Sequence, residues 1–328
     1  RGFGRCGCGD SSVYSRGAAS RGLDRSGTMW TPLALILACV TATEPAPVQV
    51  SAPAGATALA PVAMRPRYAE GDVIKVKWTL ESEDVREGEK ISEEQKRSLS
   101  YAEVHVTFRV DKLFPENLLR GTMTFTRVVI EASVPNGRER YDSADPKTSG
   151  SWFESPAQIL LKRPLEFMVS GDVMGYTRKE HPRLREWHHD GTGFLDNTVG
   201  DDAWPARFGL FFCWFAEQEA VGNTWKVTMP MRVNAGFSIP TKQEFKLVSD
   251  DGVKMQLKVS GVGTESPEAA TKGLKFIGST YDAMYSVNTA SARIREGEAT
   301  HVYTCEYMWQ GAPAKVTTTM RETIERVD

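Results

Sequence analysis

Cysteine and histidine are both scarce in this chain, five of each in 328 residues. Cys6 and Cys8 precede the first apolar segment and Cys39 ends it, which leaves Cys213 and Cys305 for the body. Two cysteines so far apart make neither a disulfide framework nor a zinc site by themselves. Both lie among aromatics, and they read either as a disulfide permitted by an oxidising compartment or as buried thiols. Three of the histidines fall within Arg178–Asp190, but His188 and His189 are adjacent and point apart on any regular element. No His-Glu-x-x-His arrangement accompanies them, so the stretch reads as a polar surface loop and no metal is expected. Excess charge of either sign is missing too: 40 Lys and Arg stand against 42 Asp and Glu. Without residues 1–38 the balance becomes 35 basic against 40 acidic side chains, formally −5, which argues against nucleic acid as a partner. No apolar run approaches the roughly 18 residues of a spanning helix.

Catalytic signatures are equally sparse. There is no Gly-x-Ser-x-Gly elbow, and Ser260-Gly261-Val262-Gly263 has no helix after it to complete a nucleophile turn or a dinucleotide fingerprint. Asp142 and Asp145, and the pair Asp250-Asp251, lack the alternating ligands and closing glutamate of a calcium loop. They read as turn aspartates. No catalytic residue and no cofactor is expected.

What the chain does have is Met29-Trp30-Thr31-Pro32-Leu33-Ala34-Leu35-Ile36-Leu37-Ala38-Cys39. The small Ala38 before Cys39, after an apolar core, fits a lipobox whose cysteine thiol receives diacylglycerol. Residues 1–38 are therefore expected to be a signal region, with 1–28 either disordered or upstream sequence translated in error. Residues 39–66, rich in Ala, Pro, Val and Thr, read as a disordered tether. The folded body is expected over 67–328, as one β-rich domain or two halves near 67–200 and 201–328. This places the chain outside the cytoplasm, in the periplasm or on the cell surface, with the membrane as a partner through a lipid on Cys39.

From Arg67 onward, period-two alternation dominates. Ile74, Val76 and Trp78 share one face against Lys75 and Lys77, and Val104, Val106, Phe108 and Val110 repeat the pattern. Further strands are expected at Gly121–Ser133, Leu165–Val169, Trp225–Met229, Glu244–Val248, Val253–Val259, Ala283–Ile294, His301–Trp309 and Lys315–Val327. Glu81–Ser98 reads as an exposed, charged hairpin connection, and Asp250-Asp251-Gly252 and Gln310-Gly311 as hairpin turns. Helix is expected only at Ser155–Leu161 and Asp201–Ala220. The fold class is mainly β: a large curved antiparallel sheet or open half-barrel, either single or duplicated, with a few short helices. The duplication rests on an echo, Gly71-Asp72-Val73-Ile74-Lys75-Val76 against Gly222-Asn223-Thr224-Trp225-Lys226-Val227.

The motifs Tyr68-Ala69-Glu70-Gly71-Asp72, Glu139 to Pro146, Leu161-Lys162-Arg163-Pro164-Leu165-Glu166-Phe167-Met168-Val169 and Val221 to Trp225 occur in this order across residues 66–327. In this the chain resembles a family of uncharacterised exported bacterial proteins, many with lipoprotein signals, classed as a domain of unknown function. The resemblance implies an envelope location and transfers no catalytic residue. Ser170-Gly171-Asp172-Val173 and the histidine-rich stretch after it depart from the family pattern.

Two functional expectations follow. The first is a noncatalytic, membrane-tethered scaffold or interaction module of the cell envelope. The alternative is a periplasmic carrier or sensor of lipid-like apolar ligands, with Trp78, Phe108, Phe125, Phe167, Trp225 and Tyr307 walling an apolar pocket. Core filling competes with that pocket for the same aromatics.

Overall fold

The computed structural model describes residues 61–115, 118–134, 137–162, 164–170, 211, 218–233 and 237–327. All belong to one compact unit, Thr57–Asp328. Its main feature is an antiparallel sheet of eleven strands: β2 (Val73–Gly88), β3 (Arg97–Leu113), β4 (Leu118–Val134), β5 (Gly137–Asp142), β6 (Leu165–Ser170), β8 (Thr224–Arg232), β9 (Ser238–Asp250), β10 (Lys254–Gly263), β11 (Lys275–Asn288), β12 (Ile294–Trp309) and β13 (Ala312–Arg326). Across the sheet the order is β5-β4-β3-β2-β13-β12-β11-β10-β9-β8, so the last strand closes against the first long one. Two meanders are thereby joined into one surface. β5 and β6 share an edge of β4, β5 pairing with Val129–Val134 and β6 with Leu118–Met123. The helix α1 (Glu154–Lys162) links them, burying Pro156, Ala157 and Leu160. A second short helix, α2 (Pro267–Thr271), begins at Ser266, whose side chain accepts from the Ala269 N–H. A two-stranded ribbon pairs β1 (Val62–Ala63) with β7 (Gln218–Glu219).

The mainly-β expectation is met by long strands: at about 3.3 Å per residue the 16 residues of β2 extend roughly 50 Å. The strict alternation of β2, with Ile74, Val76, Trp78 and Leu80 all buried, comes directly from its period-two sequence. On β4 the apolar positions change phase, with Met123 and Phe125 followed by Val128 and Ile130. A bulge at Thr126 absorbs the extra residue, since Arg127 pairs with His105 and Phe125 with Val106. All four apolar side chains consequently reach the same buried face.

Two glycines let aromatic rings lie flat on this face. Gly121 pairs with Phe167 and Gly297 with Tyr285. A Cβ on Gly121 would come within 2.5 Å of the Phe167 ring, and one on Gly297 within 2.3 Å of Tyr285.

The entry echo has a structural counterpart. Gly71 and Gly222 both adopt positive φ, 88° and 95°. Each is the third residue of the same turn, closed by Asp72 N–H to Ala69 O and by Asn223 N–H to Ala220 O. Each glycine N–H also donates to the end of the adjoining strand, Val110 O at 2.8 Å and Leu247 O at 2.7 Å.

Several expectations need correction. Glu81–Ser98 is mostly strand: β2 runs to Gly88 and β3 starts at Arg97, with only a tip between, tightened by a 3-10 turn over Glu93–Gln95. Ala283–Ile294 is not continuous, because β11 ends at Asn288. The Asn288 side-chain oxygen accepts from Ser291 N–H and Oγ, and Ala292 takes φ 53°, so the chain turns before β12. Within Asp201–Ala220, Phe211 is helical but Gln218–Glu219 form β7 rather than the end of a helix; residues 201–210 and 212–217 lie outside the described residues. The stretch read as tether contributes β1 and a fully buried Met64, so the ordered body includes residues ahead of Arg67. The sheet runs unbroken through both expected halves.

Candidate functional site

The apolar face of the sheet is the candidate site, and pairing register orders it into rows. Deep in it lies an apolar row across eight strands: Leu247, Leu257, Tyr285, Gly297, Ile324, Trp78, Val104 and Val128. Towards the N-terminal end of β2 the rows remain apolar over β2, β3 and β4, with Val76, Val106 and Phe125, then Ile74, Phe108 and Met123. Trp78, Phe108, Phe125 and Phe167, four of the expected pocket residues, are brought together here. Each is at most 2% exposed, and Phe108 meets Phe167 edge-on at 6.1 Å between ring centroids. Phe211 lies 5.9 Å from Phe108, while the Tyr68 hydroxyl donates to the Phe211 carbonyl.

The other two expected residues lie elsewhere on this face. Trp225 sits on β8, the last strand of the sheet, half-buried and stacked on Phe245 at 5.5 Å. Tyr307 is near the end of β12, half-buried and 6.4 Å from Trp309. The six side chains therefore do not form one wall.

Towards the C-terminal end of β2 the same face changes character. Leu80 is followed in phase by Ser82 and Asp84. The row through Ser82 contains Gln243, Gly261, Tyr281, His301, Met320 and Ser100. The next contains Thr241, Gly263, Ser279, Tyr303, Thr318, Asp84 and Ser98. Ser82, Thr241, Gln243, Ser279, His301 and Thr318 are each less than 8% exposed. They make a polar belt across a largely apolar surface, which also carries Glu322 opposite Leu80 and Arg326 opposite Val76.

Much of the belt is tied internally. Thr318 Oγ1 donates to Asp84 at 2.8 Å, Ser98 Oγ to the same carboxylate at 3.3 Å, and Arg86 to it at 2.8 Å. Thr241 Oγ1 donates to Ile239 O, and the Tyr281 and Tyr285 hydroxyls lie 2.7 Å apart. The buried Ser279 Oγ has no partner among the described residues. A buried hydroxyl left so costs roughly 1–3 kcal/mol. Sequence reading passed over the belt because Ser82 and Thr318 look like breaks in a hydrophobic phase. The available signal was that each stands in phase with core residues two positions away.

The opposite face carries a second polar feature, a groove of about 420 Å³ over β13, β2, β3, β4 and β5. One row across it reads Arg321, Glu81, Tyr101, Glu131, Arg140. At its base Glu103 accepts from Tyr101 and pairs with His105, both at 2.9 Å, and lies 3.3 Å from Lys77. Burial works to raise the Glu103 pKa, but the hydrogen bonds from His105, Tyr101 and Lys77 outweigh it and hold the carboxyl below its usual range. Asp142, one of the turn aspartates, is the other anchor. Arg127 binds it through two nitrogens, at 2.8 and 3.2 Å, and with the Ala144 N–H lowers its pKa against burial. Burial first, then Glu103, pushes the Tyr101 hydroxyl up to about 12. This groove is a lattice of mutually neutralising charges.

Asp145 accepts from the Lys147 N–H, and Asp250 and Asp251 accept from the amides of their own hairpin turn, as turn aspartates do. Cys305 is a buried free thiol, its pKa pushed to about 11 by burial. Cys39, Cys213 and the stretch Arg178–Asp190 lie outside the described residues. Among the described residues no three metal-ligating side chains cluster, and no helix is long and apolar enough to cross a membrane.

No family model and no curated protein matches the chain. Among solved structures, one described as lipid–protein interactions in lipovitellin is similar over 80% of this chain, at 10% identity and a TM-score of 0.47. The chain spans 26% of that protein's length. Another, DynF from the dynemicin biosynthesis pathway of Micromonospora chersina, is similar over 83% of this chain and 86% of its own, at 7% identity and a TM-score of 0.19.

Proposed function

We propose that the chain is a noncatalytic carrier or sensor of lipid-like apolar ligands, acting in the cell envelope and held at a membrane through Cys39. The observation that carries the reading is the buried face of the sheet, where apolar rows from Leu247 to Val128 continue across eight strands and the Phe108–Phe167 pair lies beyond them. Such a face suits an acyl chain because its contacts are non-directional and extend along the strands. The scaffold reading draws less support from the outer face, whose charges over β2 to β5 are largely satisfied within the sheet. The lipobox supports the anchor, and the apolar rows support the ligand class.

The test is a titration of detergent-free, delipidated full-length chain with N-phenyl-1-naphthylamine, a neutral apolar fluorophore. Saturable, stoichiometric enhancement is expected, with displacement by long-chain lipid. Enhancement that never saturates, or that arises only after thermal unfolding, would defeat the carrier reading. Mass spectrometry of membrane-extracted protein tests the anchor separately, through a diacylglycerol-bearing Cys39 at the mature N-terminus.

A further inference from the structure

Resting on the carrier reading, we infer that the ligand is an amphiphile with an uncharged, hydroxyl-bearing headgroup, bound with its head at the polar belt and its tail along the apolar rows. The argument begins with direction. On β2 the inward side chains run Ile74, Val76, Trp78, Leu80, then Ser82 and Asp84, so polarity changes once along the strand. A hydrocarbon without a head would leave the belt facing apolar atoms. A lipid with a head fits both ends of the gradient at once.

The chemistry of the belt selects the head. Ser279 Oγ is buried, has no partner among the described residues, and lies in the same row as Thr318. Thr318 spends its proton on Asp84 and keeps oxygen lone pairs to accept from a ligand hydroxyl. These are matches for alcohol and ester oxygens. Charge argues against an anionic head: Asp84 is already paired with Arg86, and Glu322 stands on the same face two positions from Met320. A ligand carboxylate beside Asp84 would meet a like charge whose guanidinium partner, Arg86, is already engaged. A glycerol monoester has the required features, whereas a free fatty acid carries the wrong head on the same tail.

The experiment competes three ligands of equal tail length, below their aggregation limits, against N-phenyl-1-naphthylamine on the delipidated full-length chain: 1-oleoylglycerol, oleate and 1-octadecene. The glycerol ester is expected to displace the probe at concentrations at least about tenfold lower than either of the others. Thr318→Val and Ser279→Ala should each weaken the ester several-fold and leave octadecene unchanged, while Thr318→Ser, which keeps the hydroxyl, should bind like the original. If all three ligands displace the probe equally, the headgroup inference fails and the carrier reading stands. If oleate is favoured, the uncharged head is wrong. If the variants weaken ester and octadecene alike, the belt is purely structural and the inference fails. If no ligand competes and the probe itself does not bind, both readings fail together.

Discussion

Gly297→Ala is expected to destabilise the protein by about 2–4 kcal/mol, although it adds a single methyl group. Gly297 lies directly opposite Tyr285, whose ring covers it. The new Cβ would sit 2.3 Å from Tyr285 Cδ1, 2.8 Å from Cε1 and 3.3 Å from the Met284 carbonyl. Tyr285 is buried in the core and its hydroxyl lies 2.7 Å from that of Tyr281, so the ring cannot swing away without loss. Overpacking accounts for about 1–3 kcal/mol, and loosening the paired hydroxyls for about 1 kcal/mol more. At about 2 °C per kcal/mol for a body of this size, the melting temperature should fall by roughly 4–8 °C. The control is Gly278→Ala, on the neighbouring strand β11. There a Cβ meets nothing within 4 Å, so that variant should be neutral or slightly stabilising. Paired thermal melts decide the matter. Equal melting temperatures for the two variants would refute the assignment of Tyr285 to the surface of Gly297, and with it the register of β11 on β12.

Other consequences can be measured on the same preparations. Trp78→Ala should cost about 3–5 kcal/mol, as for a buried tryptophan, and Trp225→Ala distinctly less because its indole is only half-buried; the reverse order in denaturant unfolding would contradict the placement of β8 at the sheet's end. Asp142→Asn should cost about 1–2 kcal/mol at neutral pH. Because the folded pKa of Asp142 is depressed, chiefly by Arg127, the wild type's advantage is full above the unfolded value near 4 and disappears as pH falls through the folded one. A gap that persists unchanged to the most acidic readable pH would show that Arg127 does not act through the charge of Asp142. The Cys305 thiol, raised to about 11 by burial, should stay unreactive towards a disulfide reagent at pH 8 until the protein unfolds.

The sheet was legible in the sequence because alternation is a local property. Ile74, Val76, Trp78 and Leu80 announce an inward face without reference to any other strand, whereas the bulge at Thr126 came only from the pairing of β3 with β4. What was not legible depends on register. Ser82, Tyr281 and Thr318 become one belt only when β2, β11 and β13 are aligned, and no local pattern states that alignment. Trp225 and Tyr307 looked equivalent to Trp78 for the same reason, since periodicity gives the face but not the distance across a sheet. The end of β11 was missed because Asn288 satisfies its own turn through its side chain, against the run of β-forming residues around it.

The account depends most on the buried face receiving an acyl chain, and tryptophan quenching by a bromine-labelled lipid tests that at the residue level. Bromine quenches indole only at close range, and Trp78 lies at the centre of the apolar rows. Titrating the delipidated chain with a glycerol monoester of 9,10-dibromostearic acid should give saturable quenching, and Trp78→Phe should remove a distinct part of the quenched signal. Absence of quenching at concentrations that saturate an unbrominated competitor, or quenching that Trp78→Phe leaves untouched, would contradict a ligand on this face.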